Sequence, residues 1–313
     1  MENGYFFIPG KQSSVAFFPL YPIIVRIFSF VFGNTKLTGF LISNVALLLA
    51  SIYLYKLIKL DFEDSIALRT VFYMLIFPTS FFFSIFYNES FFLFLVIASF
   101  YYARKEKWLV ASLFGFFVSL TKILGVFIFI PIIFEYFYRI YIENNKFDFN
   151  KIKINILYLL LIPLGLVIHM VYLFFKFGDT LAFLHTQKEG WEVHFVSIFT
   201  TLSKTLYSML GKSLFYGFLF LGFLIFTLII IIYLIYIKVR ITYIIYCILF
   251  FFLFLSANVL ESLHRYILVL FPLYLGLALI THKSKFWDNF FTLFSVMFLT
   301  LFTILFTNGY WFV

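Results

Sequence analysis

Residues 213–237 read SLFYGFLFLGFLIFTLIIIIYLIYI, a continuous apolar run without a charged side chain. An α-helix rises 1.5 Å per residue, so about 20 such residues are needed to cross a hydrocarbon core of about 30 Å. The run is long enough to do so, and it predicts a transmembrane helix.

The rest of the chain repeats this pattern. Hydrophobic residues make up 64% of the sequence, aromatic residues 25% and charged residues only 12%, a composition that would precipitate from water as a soluble domain. We therefore predict an all-α, polytopic transmembrane helical bundle of about ten spans, forming one domain over residues 1–313. The predicted spans are 38–59, 66–83, 89–103, 107–120, 123–140, 153–175, 213–237, 241–256, 266–281 and 289–307.

Three of these segments, the third, fourth and eighth, are short for a full span. The chain between Pro78 and Glu89 and between Lys122 and Gly125 could therefore contain broken or re-entrant helices. Such backbone needs surrounding protein or water for its polar groups.

The formal net charge of +9 could suggest nucleic-acid binding in a soluble protein. Here the basic residues lie mostly in loops between apolar segments, which indicates membrane topology and no nucleic-acid partner. Because basic loops face the cytoplasm, we predict a cytoplasmic location for one set of loops. That set carries Lys56, Lys59, Arg69, Arg104, Lys105, Lys107, Arg139, Lys146, Lys151, Lys153, Lys238, Arg240, Lys283 and Lys285.

Two longer stretches, 1–37 and 176–212, are predicted to face outward. The segment 15–32 reads VAFFPLYPIIVRIFSFVF, and its apolar character is interrupted by Pro19, Pro22 and Arg26. This pattern favours a helix lying in the membrane interface over a span. The second outer stretch continues into residues 196–210, where we predict another interfacial element.

Ionisable groups near membrane depth are costly, so they are candidates for function. Glu89, in the sequence YNES, could act as a base, orient a sugar hydroxyl or bind a cation; alternatively, its charge could cap the following helix. Lys122 and Arg265 lie at predicted outer ends of spans and could hold an anionic head group such as a lipid phosphate. The alternative for both is snorkelling to the interface.

The outer loop after residue 176 holds several polar side chains. His185, Gln187 and Trp191 are candidates for sugar contact. His185, Glu189, Glu192 and His194 do not match HExxH or a similar spacing, so we expect no metal site. For Glu135 and His169, which fall within spans, the ordinary explanation is a helix–helix hydrogen bond. No Gly-rich phosphate loop occurs, and no cofactor is expected.

Four stretches together resemble one family: AFFPLYPIIVRIF, FPTSFFFSIFYNESFFLFL, FGDTLAFLHTQKEGW and HRYILVLFPLYLGLA. They resemble the PIG-V-like mannosyltransferases, integral membrane enzymes of the GT-C glycosyltransferase class, in the same order over nearly the whole chain. The resemblance implies transfer of mannose from a polyprenyl-phosphate-linked donor to a lipid-linked or cell-surface acceptor on the outer or lumenal face. This lipid-phosphate-linked sugar would be a donor substrate and not a cofactor. We expect a multi-pass protein of a prokaryotic cell membrane with its active site on the outer face.

The resemblance also assigns individual residues. Lys122 stands where the family often has Arg. The other matched residues are Pro19, Tyr21 and Pro22 in the FFPLYP block, Glu89 as the acid of YxES, His185 and Trp191 in the outer loop, and Arg265 with Tyr266 in the late RY.

The chain departs from the family at its start. Family members carry a first spanning helix and a WDxxWY-like segment before the GY that appears here as Gly4 and Tyr5. The acid of that segment is the presumed catalytic carboxylate, and here only Glu2 precedes the apolar block. We therefore expect a truncated or non-catalytic member as the alternative. A lipid or solute transporter is a further alternative, but the polar candidates gather on one side, which favours an enzyme.

Overall fold

The structure, a computed structural model, describes residues 4–144, 152–211, 214–257 and 262–310. These residues form fourteen α-helices joined by short 3₁₀ segments, which confirms the all-α class. Glu2 lies outside the described residues. The helices are α1 (Leu20–Phe32), α2 (Thr35–Ile58), α3 (Asp64–Ile76), α4 (Glu89–Arg104), α5 (Trp108–Ser119), α6 (Phe129–Asn144), α7 (Leu161–Phe177), α8 (Ala182–His185), α9 (Ile198–Gly211), α10 (Leu214–Tyr236), α11 (Ile241–Leu255), α12 (Leu263–Tyr266), α13 (Phe271–His282) and α14 (Lys285–Thr307).

Helices occur at all ten predicted spans, but not all of them are long enough to cross a bilayer. By length and apolar composition, five helices qualify among the described residues, or six when one bent pair counts as a span. About ten spans are therefore not shown by the described residues, although the long apolar helices indicate an integral, multi-pass membrane protein. The five are Thr35–Ile58, Ile123–Ile142, Ile154–Phe177, Gly217–Tyr236 and Lys285–Thr307.

Two predicted interruptions are present in the structure, and proline explains the first. The segment predicted as 66–83 is helical only to Ile76, because Phe77 adopts an extended ψ of 142° before Pro78. A 3₁₀ turn, Ser80–Phe83, follows. The predicted break near Lys122 is also present: this residue is extended, with φ −148° and ψ 147°, between α5 and the next helical turn.

The segment predicted as one span over 266–281 is bent. Leu263–Val269 and Phe271–His282 meet at 81°, and Pro272 stands at the start of the second piece. Proline has no N–H for the preceding turn and clashes with it, so a continuous helix cannot pass through this position. The predicted span therefore corresponds to a bent pair of helices, and the bend itself was not predicted.

Helix α4 lies at the centre of the bundle. It packs against α2 on one side and α5 on the other, and its side chains Phe92, Val96 and Phe100 are buried in the main core. By contrast, α14 is peripheral and exposes large apolar side chains such as Leu293, which is 72% exposed. An exposed apolar surface of this kind is expected where lipid surrounds the protein.

The N-terminal segment packs against the stretch that follows α7. Val15 and Phe18 form a second, smaller core with Leu173, Ala182 and Phe183. Both α1 and α7 end at a glycine with positive φ, which permits the left-handed conformation that closes a helix. Helices form in both predicted interfacial stretches, α1 in the first and α9 in the second. That these helices lie in the membrane interface remains a prediction.

Candidate functional site

Charged residues mark both ends of the central helix α4. Glu89 is its first residue and Arg104 its last, so the two are about 22 Å apart along the helix axis. We refer to these as the Glu89 end and the Arg104 end of the molecule. Each end gathers its own cluster of ionised side chains.

At the Glu89 end, the structure brings together three residues that the sequence singled out separately. Glu89 is only 2% exposed. Lys122 donates a hydrogen bond from Nζ to Glu89 Oε1 over 3.0 Å, and Arg265 Nε lies 3.5 Å from the same oxygen. Both cations are turned towards Glu89 rather than simply snorkelling. We call Glu89, Lys122 and Arg265 the Glu89 cluster.

Breaks in the helices position the two cations. Lys122 stands in the extended segment after α5, and Arg265 lies in the short α12, just before the 81° bend. The guanidinium of Arg265 lies 5.4 Å from the ring centres of both Tyr87 and Tyr266. Such cation–π contacts hold an arginine in a fixed orientation. The predicted substrate residue Tyr266 therefore supports Arg265 in this structure.

The Glu89 cluster has one carboxylate and two cations, which leaves it with an excess positive charge. Glu89 Oε2 is buried and has no hydrogen-bond partner among the described residues. The side chains of Lys122 and Arg265 remain 23% and 16% exposed. As the first residue of α4, Glu89 also lies in the favourable field of a helix N-terminus, so the capping interpretation is compatible with this geometry. The arrangement suits an anionic ligand held beside a carboxylate.

Tyr21, matched by the family resemblance, lies beside this cluster but is occupied by the protein. Its hydroxyl donates to Gly39 O over 3.1 Å and lies 2.8 Å from Ser43 Oγ. Ser43 in turn donates to the backbone oxygen of Tyr87. Burial raises the pKa of Tyr21 to about 12, and the nearby charge of Glu89 adds to the increase. Tyr21 thus ties α1 to α2 and, through Ser43, to the segment that carries Glu89.

Of the outer-loop residues, Trp191 contacts the N-terminal segment, whereas His185 and Gln187 are bonded within the loop. His185 Nδ1 lies 2.7 Å from Asp179 Oδ2, and Trp191 packs edge-to-face on Phe17 with ring centres 5.9 Å apart. The backbone oxygen of Gln187 accepts from Val193 N over 2.8 Å. Asp179 was missed, although it belongs to the FGDT of the quoted motif.

The four acidic and histidine side chains weighed for a metal do not assemble into one site. His185 is engaged by Asp179, and Glu189 accepts a hydrogen bond from Gly10 N over 3.2 Å. In the part of the chain that the structure describes, no three His, Cys, Asp or Glu side chains are placed to share a metal ion. Through Glu189, the loop is thus hydrogen-bonded to the segment before α1.

The two ionisable residues within spans behave differently. Glu135 accepts hydrogen bonds from Arg240 and from Thr242 Oγ1, which confirms the expected contact between helices. For His169 this expectation is wrong, because neither ring nitrogen has a hydrogen-bond partner among the described residues. Its ring packs instead against Phe18 and Phe183, with centres 4.7 and 5.9 Å apart.

The Arg104 end holds a charge network that was not anticipated. Arg104 bonds Asp61 through both terminal nitrogens, at 2.5 and 2.7 Å, and its Nε lies 3.5 Å from Glu135 Oε1. Arg240 binds the same Glu135, with Nε 2.9 Å from Oε2. The basic loops assigned to one side therefore meet at one end of the molecule. Further pairs at this end join Arg139 to Glu106 and His282 to Glu63, whereas Lys146 and Lys151 lie outside the described residues.

A glycine after Lys122 permits the close packing that places this lysine. A Cβ at Gly125 would lie 2.2 Å from the backbone oxygen of Val118. We expect Gly125→Ala to lower the free energy of unfolding by about 1–3 kcal/mol, because backbone must shift to accept the methyl group. Thermal unfolding in detergent micelles measures the effect. The matched control is Gly222→Ala in α10, where a Cβ meets nothing within 4 Å; equal losses in both variants would contradict the explanation.

Comparison with known proteins bears on the fold. No protein-family profile matches the chain, and no curated protein is detectably similar to it. Among solved structures, it is similar to the crystal structure of the Archaeoglobus fulgidus oligosaccharyltransferase in complex with Zn and sulfate, with a TM-score of 0.54 and 16% identity. The match covers 94% of this chain and 46% of that one, so the chain spans about half the length of its structural relative. The bundle thus shares the fold of the matched part of that structure.

Proposed function

We propose that this chain is an integral membrane glycosyltransferase. It transfers a sugar, mannose by the family resemblance, from a polyprenyl-phosphate-linked donor to a lipid-linked or cell-surface acceptor. The observation that carries the proposal is the Glu89 cluster: a buried carboxylate with one unpartnered oxygen, held by two partly exposed cations at one end of the bundle. The GT-C-like fold agrees with this function.

The two cations suit the donor's phosphate. Arginine can offer a bidentate pair of donors to phosphate oxygens, while lysine acts as a point charge. In the structure, both are directed at Glu89 Oε1. A bound phosphate competes for the same two cations and weakens their hold on the carboxylate. Glu89 is then better able to accept a proton, since an adjacent cation otherwise favours its ionised form.

The reaction we propose is a single displacement. Glu89 accepts the proton of an acceptor hydroxyl, whose oxygen forms a bond to the anomeric carbon of the donor sugar. The bond between that carbon and the phosphate oxygen breaks, and polyprenyl phosphate leaves with the electron pair. Lys122 and Arg265 stabilise the charge that develops on the leaving phosphate. One displacement inverts the configuration at the anomeric carbon.

We propose that the remaining predicted substrate residues cover this site. His185, Gln187 and Trp191 lie in the loop that packs on the segment before α1, and that segment leads into Tyr21 beside Glu89. We propose that this loop contributes acceptor or sugar contacts through its exposed side chains. Trp191 is 42% exposed and offers an aromatic face for a sugar ring.

A transfer assay tests the function directly. The purified protein is reconstituted in liposomes with polyprenyl phosphate carrying a radiolabelled mannose or glucose and a crude lipid acceptor fraction. We expect the label to move to the acceptor while polyprenyl phosphate is released, and digestion by an anomer-specific glycosidase reports the inversion. Label that crosses the bilayer on an intact donor would instead identify a transporter. If the label is neither transferred nor moved across the bilayer, the result favours the non-catalytic alternative.

The proposed active site faces outward, because the basic loops lie at the opposite, Arg104 end. We expect a cysteine replacing Lys188, an exposed residue of the outer loop, to react with a membrane-impermeant maleimide in intact cells. A cysteine replacing the exposed Lys105 should react only after permeabilisation. The native Cys247 is fully buried, so the unmodified chain serves as the unlabelled control. The reverse labelling pattern would overturn the orientation.

A further inference from the structure

At the Arg104 end, a cavity of about 390 Å³ opens between the ends of α10 and α13 and the loop after α2. Its wall includes three basic side chains, Lys238, Arg240 and Lys283, but only one acidic side chain, Asp61. The volume lies within the range of about 300–1,000 Å³ that is usual for small-ligand sites. The cavity is at the opposite end of α4 from Glu89 and is therefore separate from the proposed transfer site.

The charges of the wall do not cancel. Asp61 is bound through both carboxylate oxygens by Arg104, which is outside the cavity wall. Arg240 directs Nε and Nη2 to Glu135 and leaves Nη1 out of these bonds. Over the described ranges, neither Lys238 nor Lys283 forms a salt bridge. Among the described residues, the two lysines of the wall thus have no carboxylate within salt-bridge distance.

The chemistry of the wall suits an oxyanion. Tyr138 lies under the Arg240 guanidinium at 4.9 Å, and Tyr233 lines the cavity as well, so two phenols stand beside the cations. Guanidinium, ammonium and phenol groups are all donors to phosphate oxygens. Next to the cavity, α10 exposes apolar side chains, including Ile232 at 63% and Tyr236, whose exposure is 81%. An apolar chain attached to a phosphate can lie along this surface.

We infer that this cavity binds a phosphate group, carried by an acidic membrane lipid or present as a free anion. Lys238 and Lys283 supply the charge, and Arg240, fixed by Glu135 and Tyr138, supplies a directed donor. In the orientation proposed above, the site faces the anionic inner leaflet, where each nearby basic residue contributes to lipid attraction. This inference concerns a second site and does not depend on sugar transfer.

The test is binding of defined probes to the full chain in micelles, followed by native mass spectrometry. The probes are phosphatidylglycerol, phosphatidylcholine and inorganic phosphate. We expect phosphatidylglycerol to bind more tightly than phosphatidylcholine, and Lys238→Asn with Lys283→Gln to weaken that binding about 25-fold, or about fivefold for each lysine. Asn is chosen because Lys238 has a φ of 55°, a left-handed conformation that Asn tolerates well.

The matched control removes two exposed lysines at the same end but outside the cavity wall, through Lys105→Gln with Lys107→Gln. An equal loss in both double variants would overturn the inference, because surface charge alone would then explain binding. Phosphatidylglycerol binding that inorganic phosphate does not displace supports a lipid ligand, and displacement by phosphate supports a free anion. Absence of binding by both anionic probes overturns the site. If the Asn variant does not fold, the single Lys283→Gln variant must still show its fivefold loss.

Discussion

Glu89→Gln should reduce the rate of sugar transfer by about 100-fold or more while the protein remains folded. The amide has the same shape as the carboxylate, but it cannot accept the acceptor's proton, and general-base catalysis contributes about 10²–10⁴-fold. The rate is measured in the liposome assay with saturating donor, so that weaker donor binding does not account for the loss. Unfolding temperature, followed in the same preparation, separates a chemical defect from misfolding.

The control for this variant is Glu106→Gln, which changes the same residue type at the Arg104 end, where Glu106 is exposed and paired with Arg139. Its rate should stay close to that of the unmodified chain. Glu2→Gln provides a second comparison, because Glu2 is the other acidic candidate from the sequence. Loss of transfer in Glu2→Gln together with full activity in Glu89→Gln would assign the base to Glu2 and remove Glu89 from the proposed chemistry.

Of the substitutions proposed, Glu135→Gln should lower the free energy of unfolding most. Glu135 is fully buried between Arg240 and Arg104, whose side chains are only 10% and 7% exposed. Replacing the carboxylate leaves Arg240 buried without its anion, and breaking a buried ion pair in this way typically lowers the free energy of unfolding by about 3–5 kcal/mol. Tryptophan fluorescence during heating in micelles measures the change.

Glu106→Gln again provides the comparison, since it removes an exposed ion pair that is expected to contribute at most about 1 kcal/mol. A similar loss of stability in both variants would show that Glu135 has no special structural role. The Glu135→Gln protein that remains folded at low temperature should retain sugar transfer, because the Arg104 end lies about 22 Å from Glu89 along α4.

Much of the helix arrangement could be predicted from hydropathy and proline alone. The run at 213–237 became α10, and the breaks at Pro78 and Lys122 were expected. The 81° bend before α13 was missed, because the apolar run over 266–281 outweighed Pro272 in that interpretation. A hydropathy window reports whether a segment prefers lipid, not whether its backbone can stay straight.

The residues of the candidate site could be predicted from the sequence, but their positions relative to one another could not. Glu89, Lys122 and Arg265 each stood out because charge is rare in this sequence, yet only the fold places both cations on one carboxylate oxygen. At the Arg104 end, the Arg and Lys residues of the loops were explained by membrane topology alone. That assignment hid the bonds of Arg104 and Arg240 to Asp61 and Glu135, because pairing between distant loops leaves no local pattern.

The ion pairs at both ends of α4 have a mechanical consequence. A helix that slid or rotated along its axis would pull Glu89 away from Lys122 and Arg104 away from Asp61 at the same time. Because α4 is held at both ends, we expect any opening for the proposed lipid-linked donor to come from the elements around it. The segment before α1 and the loop at Gly190 contact each other and take part in neither ion pair, so we expect this layer to move when the proposed donor enters.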